Sequence, residues 1–498
     1  MPIKERYKEL YRIFNEAIKE QTRLGQLDFS GPFARMDYLC KQAGYAEEDY
    51  RRINAFRARC RNLHGQPESG LLPFWQDDLK SLSLFISAIY RIPIPKDLSS
   101  RLLPVYTSSG REAPLAADYL RIVVDSWDDG FIYGKTADES SEFVRVAYAY
   151  QNYFGDWRYI GDLLTDHTQL NLVRPRLKEG VYYAELIIWE PDYLLDISAV
   201  AACFEYYGAT SLNYLVNKVK PSANSQAILL GNFAGQLLDE VIYHGKNPIP
   251  YRESVQQFFR NNALNLAICP DMQPTFHEQA KNQKYNLERI IHDQFPKVCY
   301  LDMDKIVLEP SFLSEMLGLQ GRMDLLQEDL RVLMEQKSGK REYLTNKHVE
   351  KHYVQMLLYL ALIHYNFHRR NEEVSCFLLY SKYADGLMKE GPAPELLFRA
   401  IRLRNEIVAD EFEYGEGAAG KRLAELTPSG LNVNQAGGTL WDKFTAPELA
   451  RLLHPIHMAS PLERAYFNRF FTFLEKEQIL AKLGNATKEG SGFSSVWN

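Results

Sequence analysis

The stretch GLQGRMDLLQEDLRVLMEQKSGK, from Gly318 to Lys340, decides the fold that the sequence predicts. Its apolar and polar residues alternate on both sides of a short polar turn, which is typical of a β-hairpin. We predict a first strand, a turn and a second strand at Arg322–Leu326, Gln327–Leu330 and Arg331–Lys337. Pairing across this turn would bring Asp324 of the first strand beside Glu335 of the second.

The second strand of this hairpin carries a carboxylate and an ammonium group on one face. Because side chains alternate along a strand, Glu335 and Lys337 share a face with Leu333, and Gln336 lies on the other. The carboxylates of Asp324 and Glu335 suit Mg²⁺ or Mn²⁺, and the backbone carbonyl of Gln336 is a further candidate ligand. Such an ion would lower the pKa of a bound water, which Lys337 would orient. A surface hairpin with a solvated Glu–Lys pair is the alternative.

A second polar feature lies on the predicted helix His348–Phe367, which is apolar almost all round and is therefore expected to be buried. His352, Gln355 and Tyr359 follow one another at steps of three and four residues, so they form one polar stripe along this helix. A phosphate backbone or the hairpin's carboxylate–lysine cluster would give these groups the partners that buried polar atoms need. Hydrogen bonds to other parts of the protein are the alternative.

Four further stretches extend the pattern into a family resemblance. They are WEPDYLLDISAVAACFEYYG (Trp189–Gly208), LLGNFAGQLLDE (Leu229–Glu240), LEPSFLSEMLGLQGRMD (Leu308–Asp324) and LLYSKYADGLMKEGPAPELLFRAIRLRNE (Leu378–Glu406). Together with the hairpin and the polar stripe, they resemble the PD-(D/E)XK nuclease superfamily in its RecB-like branch. In particular, they are similar to the nuclease half of flap-processing nuclease–helicases. The resemblance covers about residues 185–410.

The resemblance implies an α/β nuclease core, in which helices flank a mixed sheet. It implies that Asp324 and Glu335 hold the metal ion and that Lys337 is the catalytic lysine. It also implies that Gln355 and Tyr359 contact the DNA strand that is cut. The candidate DNA-binding residues are Gln355, Tyr359, His352, Arg322 and Lys340.

Two departures from the family pattern concern its metal centres. The family usually places a metal-ligating histidine where this chain has Gly235. Asp239, one helical turn further along the same face, is a candidate substitute, and a solvated helix carboxylate is the alternative. The family often carries four cysteines for an iron–sulfur cluster, but only Cys203 matches here, so we predict no cluster.

The composition limits the function classes. Lys plus Arg is 58 and Asp plus Glu is 64, which gives a net charge of −6 and excludes a globally basic nucleic-acid binder. The longest uncharged apolar run, Val354–Phe367, is too short to span a bilayer, and the charged N-terminus lacks a secretory signal. We therefore expect a cytoplasmic protein that does not bind a membrane.

The pattern along the chain predicts five parts. Residues 1–110 are expected to form a helical domain and 111–188 a small OB-like β-barrel. The nuclease domain would occupy 189–410, a glycine-rich linker 411–440, and a helical segment 441–498 that leads to a helicase outside this chain. Aromatic residues are dense in the barrel at Ala147–Ile160, where they would stack on bases or fill the barrel core.

These observations favour a metal-dependent nuclease that cuts single-stranded or flap DNA, as the nuclease part of a nuclease–helicase of DNA repair or replication. The expected partners are DNA and a helicase domain or subunit. Two alternatives remain from the sequence: a non-catalytic module that binds single-stranded nucleic acid, and a structural arm of a repair or phage-defence complex.

Overall fold

The computed structural model describes residues 2–23, 28–29, 31–45, 47–61, 63, 71, 74–95, 98, 117–150, 152, 154–221, 224–245, 247–342 and 347–484. Over these residues the protein is a mixed α/β structure. Its strands are β1 Asp28–Phe29, β2 Tyr119–Trp127, β3 Phe131–Thr136, β4 Phe143–Ala147, β5 Gln169–Val173, β6 Arg176–Lys178, β7 Val181–Tyr183, β8 Leu186–Trp189, β9 Leu195–Asp196, β10 Phe204–Glu205, β11 Gly208–Ala209, β12 Ile306–Leu308, β13 Ser311–Ser314, β14 Leu319–Arg322, β15 Leu325–Gln327, β16 Val332–Lys337, β17 Ser375–Tyr380 and β18 Leu387–Glu390.

The described α-helices flank the strands. They are α1 Ile3–Thr22, α2 Pro32–Gln42, α3 Glu47–Arg61, α4 Trp75–Tyr90, α5 Ile197–Ala202, α6 Ser211–Val219, α7 Gln226–His244, α8 Tyr251–Asn261, α9 Ala263–Ala267, α10 Phe276–Arg289, α11 Phe295–Val298, α12 Glu350–Phe367, α13 Pro394–Gly415, α14 Ala418–Glu425, α15 Pro428–Leu431, α16 Ala446–Met458 and α17 Pro461–Leu483. Within the described ranges, none of the helices combines the length and apolar character that crossing a membrane requires.

A six-stranded mixed sheet in the order β1-β18-β17-β16-β15-β12 holds the hairpin of β15 and β16. The predicted first strand Arg322–Leu326 is divided, because Arg322 ends β14 of another sheet and β15 begins at Leu325. Strand β16 pairs antiparallel with β15 and parallel with β17, the strand that follows α12. Leu333 on one face of β16 packs into the core that includes α12, whereas Val332 and Met334 on the other face pack with α7 and α10. The sheet is therefore buried on both faces, as central strands with parallel neighbours require.

The four N-terminal helices α1 to α4 pack around a core of their own, which includes Tyr7, Phe14, Phe56 and Phe85. The same N-terminal region supplies β1, which pairs parallel with β18 at one edge of the six-stranded sheet. The helical part of the chain is thus attached to the sheet through backbone pairing. The predicted boundary at residue 110 lies outside the described residues.

The predicted OB-like barrel is wrong in one respect, because the described strands β2 to β8 form an open seven-stranded sheet in the order β6-β7-β4-β3-β2-β5-β8. A barrel would need another strand on the free edge of β8. The side chain of Asn405 on α13 lies there instead: it accepts a hydrogen bond from the Trp189 amide and donates one to the Ile187 carbonyl, at 3.0 and 2.9 Å. Because the edge groups of β8 are satisfied by a side chain, the sheet stays open.

The aromatic stretch of this sheet fills the core. Trp157, Tyr148 and Tyr159 are buried, and Trp157 meets Phe398 of α13 edge to face with 4.8 Å between ring centroids. Aromatic rings at such contacts are not free to receive a nucleotide base. Of the two interpretations of Ala147–Ile160, the structure supports core packing for these residues.

The predicted linker at 411–440 is largely helical. Helix α13 continues to Gly415, and α14 and α15 follow within the same segment. Helix α14 approaches α17 so closely that Gly420 of α14 has no room for a side chain. The Gly420 amide donates a hydrogen bond to Asn468 of α17 at 2.9 Å, and a Cβ at Gly420 would overlap the Asn468 side chain. Packing against α17 therefore overrides the local preference of glycine for loops.

A buried charged cluster holds α17 against α6 and α13. Lys218 of α6 forms ion pairs with Glu411 of α13 and Glu475 of α17, and Tyr193 and Gln478 donate hydrogen bonds to Glu411. Burial, together with the nearby Glu411 carboxylate, raises the pKa of Glu475 to about 7, against the opposing effect of Lys218. An acid whose pKa is raised by folding stabilises the fold when protonated, and that contribution is lost as the pH rises through about 7.

We expect α17 to be held less firmly at pH 8 than at pH 6, because Glu475 then loses its proton beside Glu411. Amide hydrogen exchange across Pro461–Leu483, corrected for the intrinsic effect of pH, should show weaker protection at the higher pH. In Glu475→Gln, which stays neutral, this difference should shrink. An equal difference in both proteins would contradict the assignment of the effect to Glu475.

Candidate functional site

The register of three neighbouring strands aligns three acidic residues. Leu308 of β12 lies opposite Leu325 of β15, which lies opposite Met334 of β16. Extending this register by one residue places Glu309, Asp324 and Glu335 side by side, at the end of the strands. Asp324 is fixed there because its Oδ2 accepts a hydrogen bond from the Gln336 amide at 2.6 Å.

Glu335 lies in a hydrogen-bonded triangle with a lysine and a glutamine. Lys337 Nζ donates to Glu335 Oε1 at 2.7 Å and to Gln355 Oε1 at 2.9 Å, and Gln355 Nε2 donates to the same Glu335 oxygen at 2.7 Å. Glu335 and Lys337 point to the α12 face of the sheet because they are two residues apart on β16. Gln336, between them, points to the other face and donates to the Ala234 carbonyl of α7.

The electrostatics of the triangle are set by burial. Glu335 is only 2% exposed, and burial together with the Asp324 carboxylate raises its pKa to about 8, against the opposing effect of Lys337. Burial also raises the pKa of Asp324. Within the described residues, Glu335 Oε2 is buried and has no hydrogen-bond partner. Since an unpaired buried oxygen costs stability, this atom is a candidate to bind a group from outside the chain.

Two of the three residues of the polar stripe on α12 reach this site. Gln355 is part of the triangle, and Tyr359 donates a hydrogen bond to the Arg322 carbonyl at 2.6 Å, next to the loop that carries Asp324. This contact depends on Gly321, because a Cβ there would lie 2.8 Å from the Tyr359 ring. Tyr359 is 2% exposed, so it positions the backbone here and does not offer a free ring to DNA.

His352, the third residue of the stripe, forms a hydrogen bond within the protein, and its contact with DNA stays a prediction. Its Nδ1 lies 3.0 Å from the hydroxyl of Tyr380 on β17. Burial, and the positive charge of Lys337, lower the pKa of His352 to about 3, so the ring is neutral at physiological pH. For this residue the alternative that its polar atoms are satisfied internally is the one observed.

The basic residues near the hairpin differ in their accessibility. Arg322 is exposed and forms an ion pair with Glu309 at 3.1 Å, and Lys340 is exposed just after β16. Both side chains are accessible to a phosphate. Arg341 is buried, donates to the Asp385 carbonyl and lies over the Tyr383 ring, so it is not part of an accessible basic surface.

We call Glu309, Asp324 and Glu335 the acidic row. No pattern in the sequence had indicated that Glu309 belongs to it. The backbone of Glu309 has a φ of 51°, in the left-handed region, and its amide donates to the Asp324 carbonyl at 3.1 Å. A prediction of the second hairpin, β13–β14, would have indicated Glu309. This hairpin pairs Ser311 with Arg322 and so brings Glu309, just before it, close to Asp324, just after it.

Asp239 on α7 is half-buried and close enough to the acidic row for its charge to be affected. Burial, with Glu309 and Asp324 next in effect, raises the pKa of Asp239 to about 6. Gly235, one turn earlier, faces open space, because a Cβ there would meet nothing within 4 Å. Among the residues that the structure describes, no group of three or more His, Cys, Asp or Glu side chains is arranged to hold a metal ion. The proposed ligands are thus neighbours without forming a closed site.

Comparison with known proteins gives no further assignment: neither protein-family profiles nor curated proteins match this chain.

Two glycine-to-alanine substitutions should change stability in opposite directions. Gly318, which leads into β14, has a φ of +60°, and a Cβ there would overlap the Arg404 guanidinium. The left-handed conformation alone costs a residue other than glycine about 1–2 kcal/mol, so we expect Gly318→Ala to lose at least about 2 kcal/mol. Gly235→Ala, inside a helix and facing open space, should gain about 0.5–1 kcal/mol. Urea denaturation measures both, and a shift of the two variants in the same direction would contradict the different roles assigned to these glycines.

Proposed function

We propose that this protein is a metal-dependent nuclease that hydrolyses phosphodiester bonds in single-stranded or flap DNA. The observation that carries the proposal is the triangle of Glu335, Lys337 and Gln355, with Asp324 bound to the adjacent backbone amide. Two carboxylates and an ammonium group meet here on adjacent strands, and Gln355 joins them from α12. Strongly perturbed pKa values in such a cluster are typical of functional sites.

The order of secondary structure supports the same proposal. A helix, α7, is followed by the antiparallel strands β12, β15 and β16, then by α12 and by β17 parallel to β16. This is a mixed sheet with helices on both faces, the arrangement that the resemblance to the PD-(D/E)XK superfamily led us to expect. By the same resemblance, a helicase domain or subunit is the proposed partner.

The donor set suits Mg²⁺ or Mn²⁺, because it consists of carboxylates and a backbone carbonyl and includes the unpaired buried Glu335 Oε2. Asp324, Glu335 and the Gln336 carbonyl would hold the ion, with Asp239 as a fourth ligand. When bound, the ion would supply an activated water and charge stabilisation at the phosphate.

The remaining chemistry belongs to side chains of this protein. Lys337 would orient the attacking water or stabilise the extra negative charge on the phosphate oxygens. Gln355 holds the Lys337 ammonium in place, at 2.9 Å. Tyr359 holds the Arg322 carbonyl and, through it, the loop of Asp324. Lys340 and Arg322 are exposed and would contact the DNA backbone.

Glu335→Gln should abolish cleavage, because the amide cannot bind a divalent cation as a carboxylate does. The decisive assay follows a labelled single strand and a labelled flap substrate with Mg²⁺ or Mn²⁺, on purified full-length protein. Loss of one essential catalytic group commonly lowers the rate by a factor on the order of 10³ or more.

Glu475→Gln is the matched control, because Glu475 is also buried and also paired with a lysine, but lies in the cluster that holds α17. It should cut DNA at the rate of the unmodified protein. If Glu335→Gln and Glu475→Gln both cut normally, the proposed nuclease site is wrong.

A second function, nucleic-acid binding without cleavage, is favoured by one observation. The family's histidine position is Gly235, and the described residues contain no arrangement of three or more ligands ready for a metal ion. On this hypothesis the protein would bind DNA with or without a divalent ion.

Restoring the family's histidine separates the two functions. The space at Gly235 accepts a side chain, so Gly235→His should fold and provide an imidazole on the helix face that it shares with Asp239. If the acidic row binds metal, Gly235→His should tighten Mn²⁺ binding, measured by titration calorimetry, and Gly235→Ala should not. Equal, undetectable binding in all three proteins would favour the non-catalytic function.

A further inference from the structure

The solvent-facing side of strands β3 and β4 carries rings and positive charges together. Phe131, Tyr133 and Lys135 alternate with buried residues along β3, and Phe143 and Arg145 do so along β4. Phe143 is 75% exposed, and Arg145 and Lys135 are also exposed. We call these five residues the β3–β4 face.

On the β2–β5 side, part of the same sheet surface is covered. On β5, Asn171 is buried and donates hydrogen bonds to the carbonyls of Glu315 and Met316. On β2, Arg121 forms ion pairs with Glu315 and Asp192, at 3.0 and 2.8 Å. Among the residues that the structure describes, the segment around Glu315 covers β2 and β5 but leaves the β3–β4 face exposed.

The register of β3 and β4 places aromatic and positively charged residues opposite each other. Tyr133 lies opposite Arg145, and Lys135 lies opposite Phe143. The Arg145 guanidinium is 3.7 Å from the centroid of the Phe131 ring, and Lys135 Nζ is 5.2 Å from that of Phe143. Each cation thus lies close to an aromatic ring, and these contacts hold the long side chains near the surface of the sheet.

We propose that the β3–β4 face binds single-stranded nucleic acid, by stacking bases on its rings and pairing phosphates with its two cations. Aromatic rings offer every base a stacking surface, whereas a guanidinium or ammonium group pairs with the backbone. From Phe131 to Lys135 the face is about 13 Å long at the usual rise of a strand. This binding goes beyond the proposed function and does not depend on cleavage.

The charge of the face suits a polyanion, and its exposed rings suit one that carries bases. Strands β3 and β4 contain no carboxylate, and their outward side chains carry two positive charges. The nearest acids are held at the margin: Asp128 accepts hydrogen bonds from the Gly130 and Phe131 amides and from the Tyr133 hydroxyl. Asp125 lies 3.9 Å from Lys135, on the neighbouring strand. The centre of the β3–β4 face is therefore aromatic and cationic.

The test measures binding of a fluorescent oligothymidylate by anisotropy, in EDTA so that no strand is cut. Phe143→Ala should weaken binding roughly fivefold to a hundredfold, the range that corresponds to the loss of one stacked base. Arg145→Gln should reduce the slope of log affinity against log salt by about 0.7, because one phosphate contact is lost. Phe444→Ala, which removes a 62% exposed ring from another surface, should bind as the unmodified protein does.

Three outcomes would overturn the proposal: no binding of the oligothymidylate, equal affinity of Phe143→Ala and Phe444→Ala, or an equal loss of affinity for blunt duplex DNA, whose bases are already stacked. The proposed nuclease function is judged separately. If Phe143→Ala loses affinity although the unmodified protein cuts nothing in Mg²⁺ or Mn²⁺, the nuclease proposal fails and the binding surface stands.

Discussion

The structure depends on one buried guanidinium. Arg404 on α13 is fully buried and donates hydrogen bonds to the carbonyls of Trp189, Glu190, Tyr193 and Gly318. Burial lowers its pKa to about 9, so it remains charged at neutral pH. These four carbonyls belong to the exit of β8 and the entry to β14, so one side chain joins the open sheet to the strand that leads to Asp324. A neutral residue here would leave several buried carbonyls unpaired.

The proposed active site lowers the stability of the folded protein, because it buries the carboxylates of Asp324 and Glu335 close together. Glu335 is buried beside a second carboxylate, and its raised pKa measures how strongly the folded protein disfavours its charge. Lys337 compensates for only part of this penalty. A divalent cation bound at the proposed site would offset the rest of the penalty, because its charge favours the ionised carboxylate.

The sequence predicted the positions of side chains correctly where the periodicity of one strand or one helix determines them. Two-residue alternation placed Glu335 and Lys337 on one face, and helical spacing placed Gln355 and Tyr359 near them. The sequence did not predict features that a single tertiary contact decides. His352 lies on the same stripe but forms its hydrogen bond with Tyr380. Asn405 occupies the edge of β8 where a barrel would close. No local pattern encodes such contacts, because their partners are far apart in the chain.

Glu411 and Glu335 are both buried beside a lysine, but the lysine lies differently in the two sites. Lys218 forms an ion pair at Glu411 Oε1, the oxygen without a hydrogen-bond partner among the described residues, and Tyr193 and Gln478 donate to Oε2. Glu335 receives both of its hydrogen bonds from side chains at Oε1, from Lys337 and Gln355, and its Oε2 has no hydrogen-bond partner in the described part of the chain. A structural carboxylate gains most when both oxygens are paired. The position of the lysine therefore separates this site from the cluster beneath α17: Lys218 lies at the oxygen of Glu411 that lacks a hydrogen bond, whereas Lys337 lies at the other oxygen of Glu335.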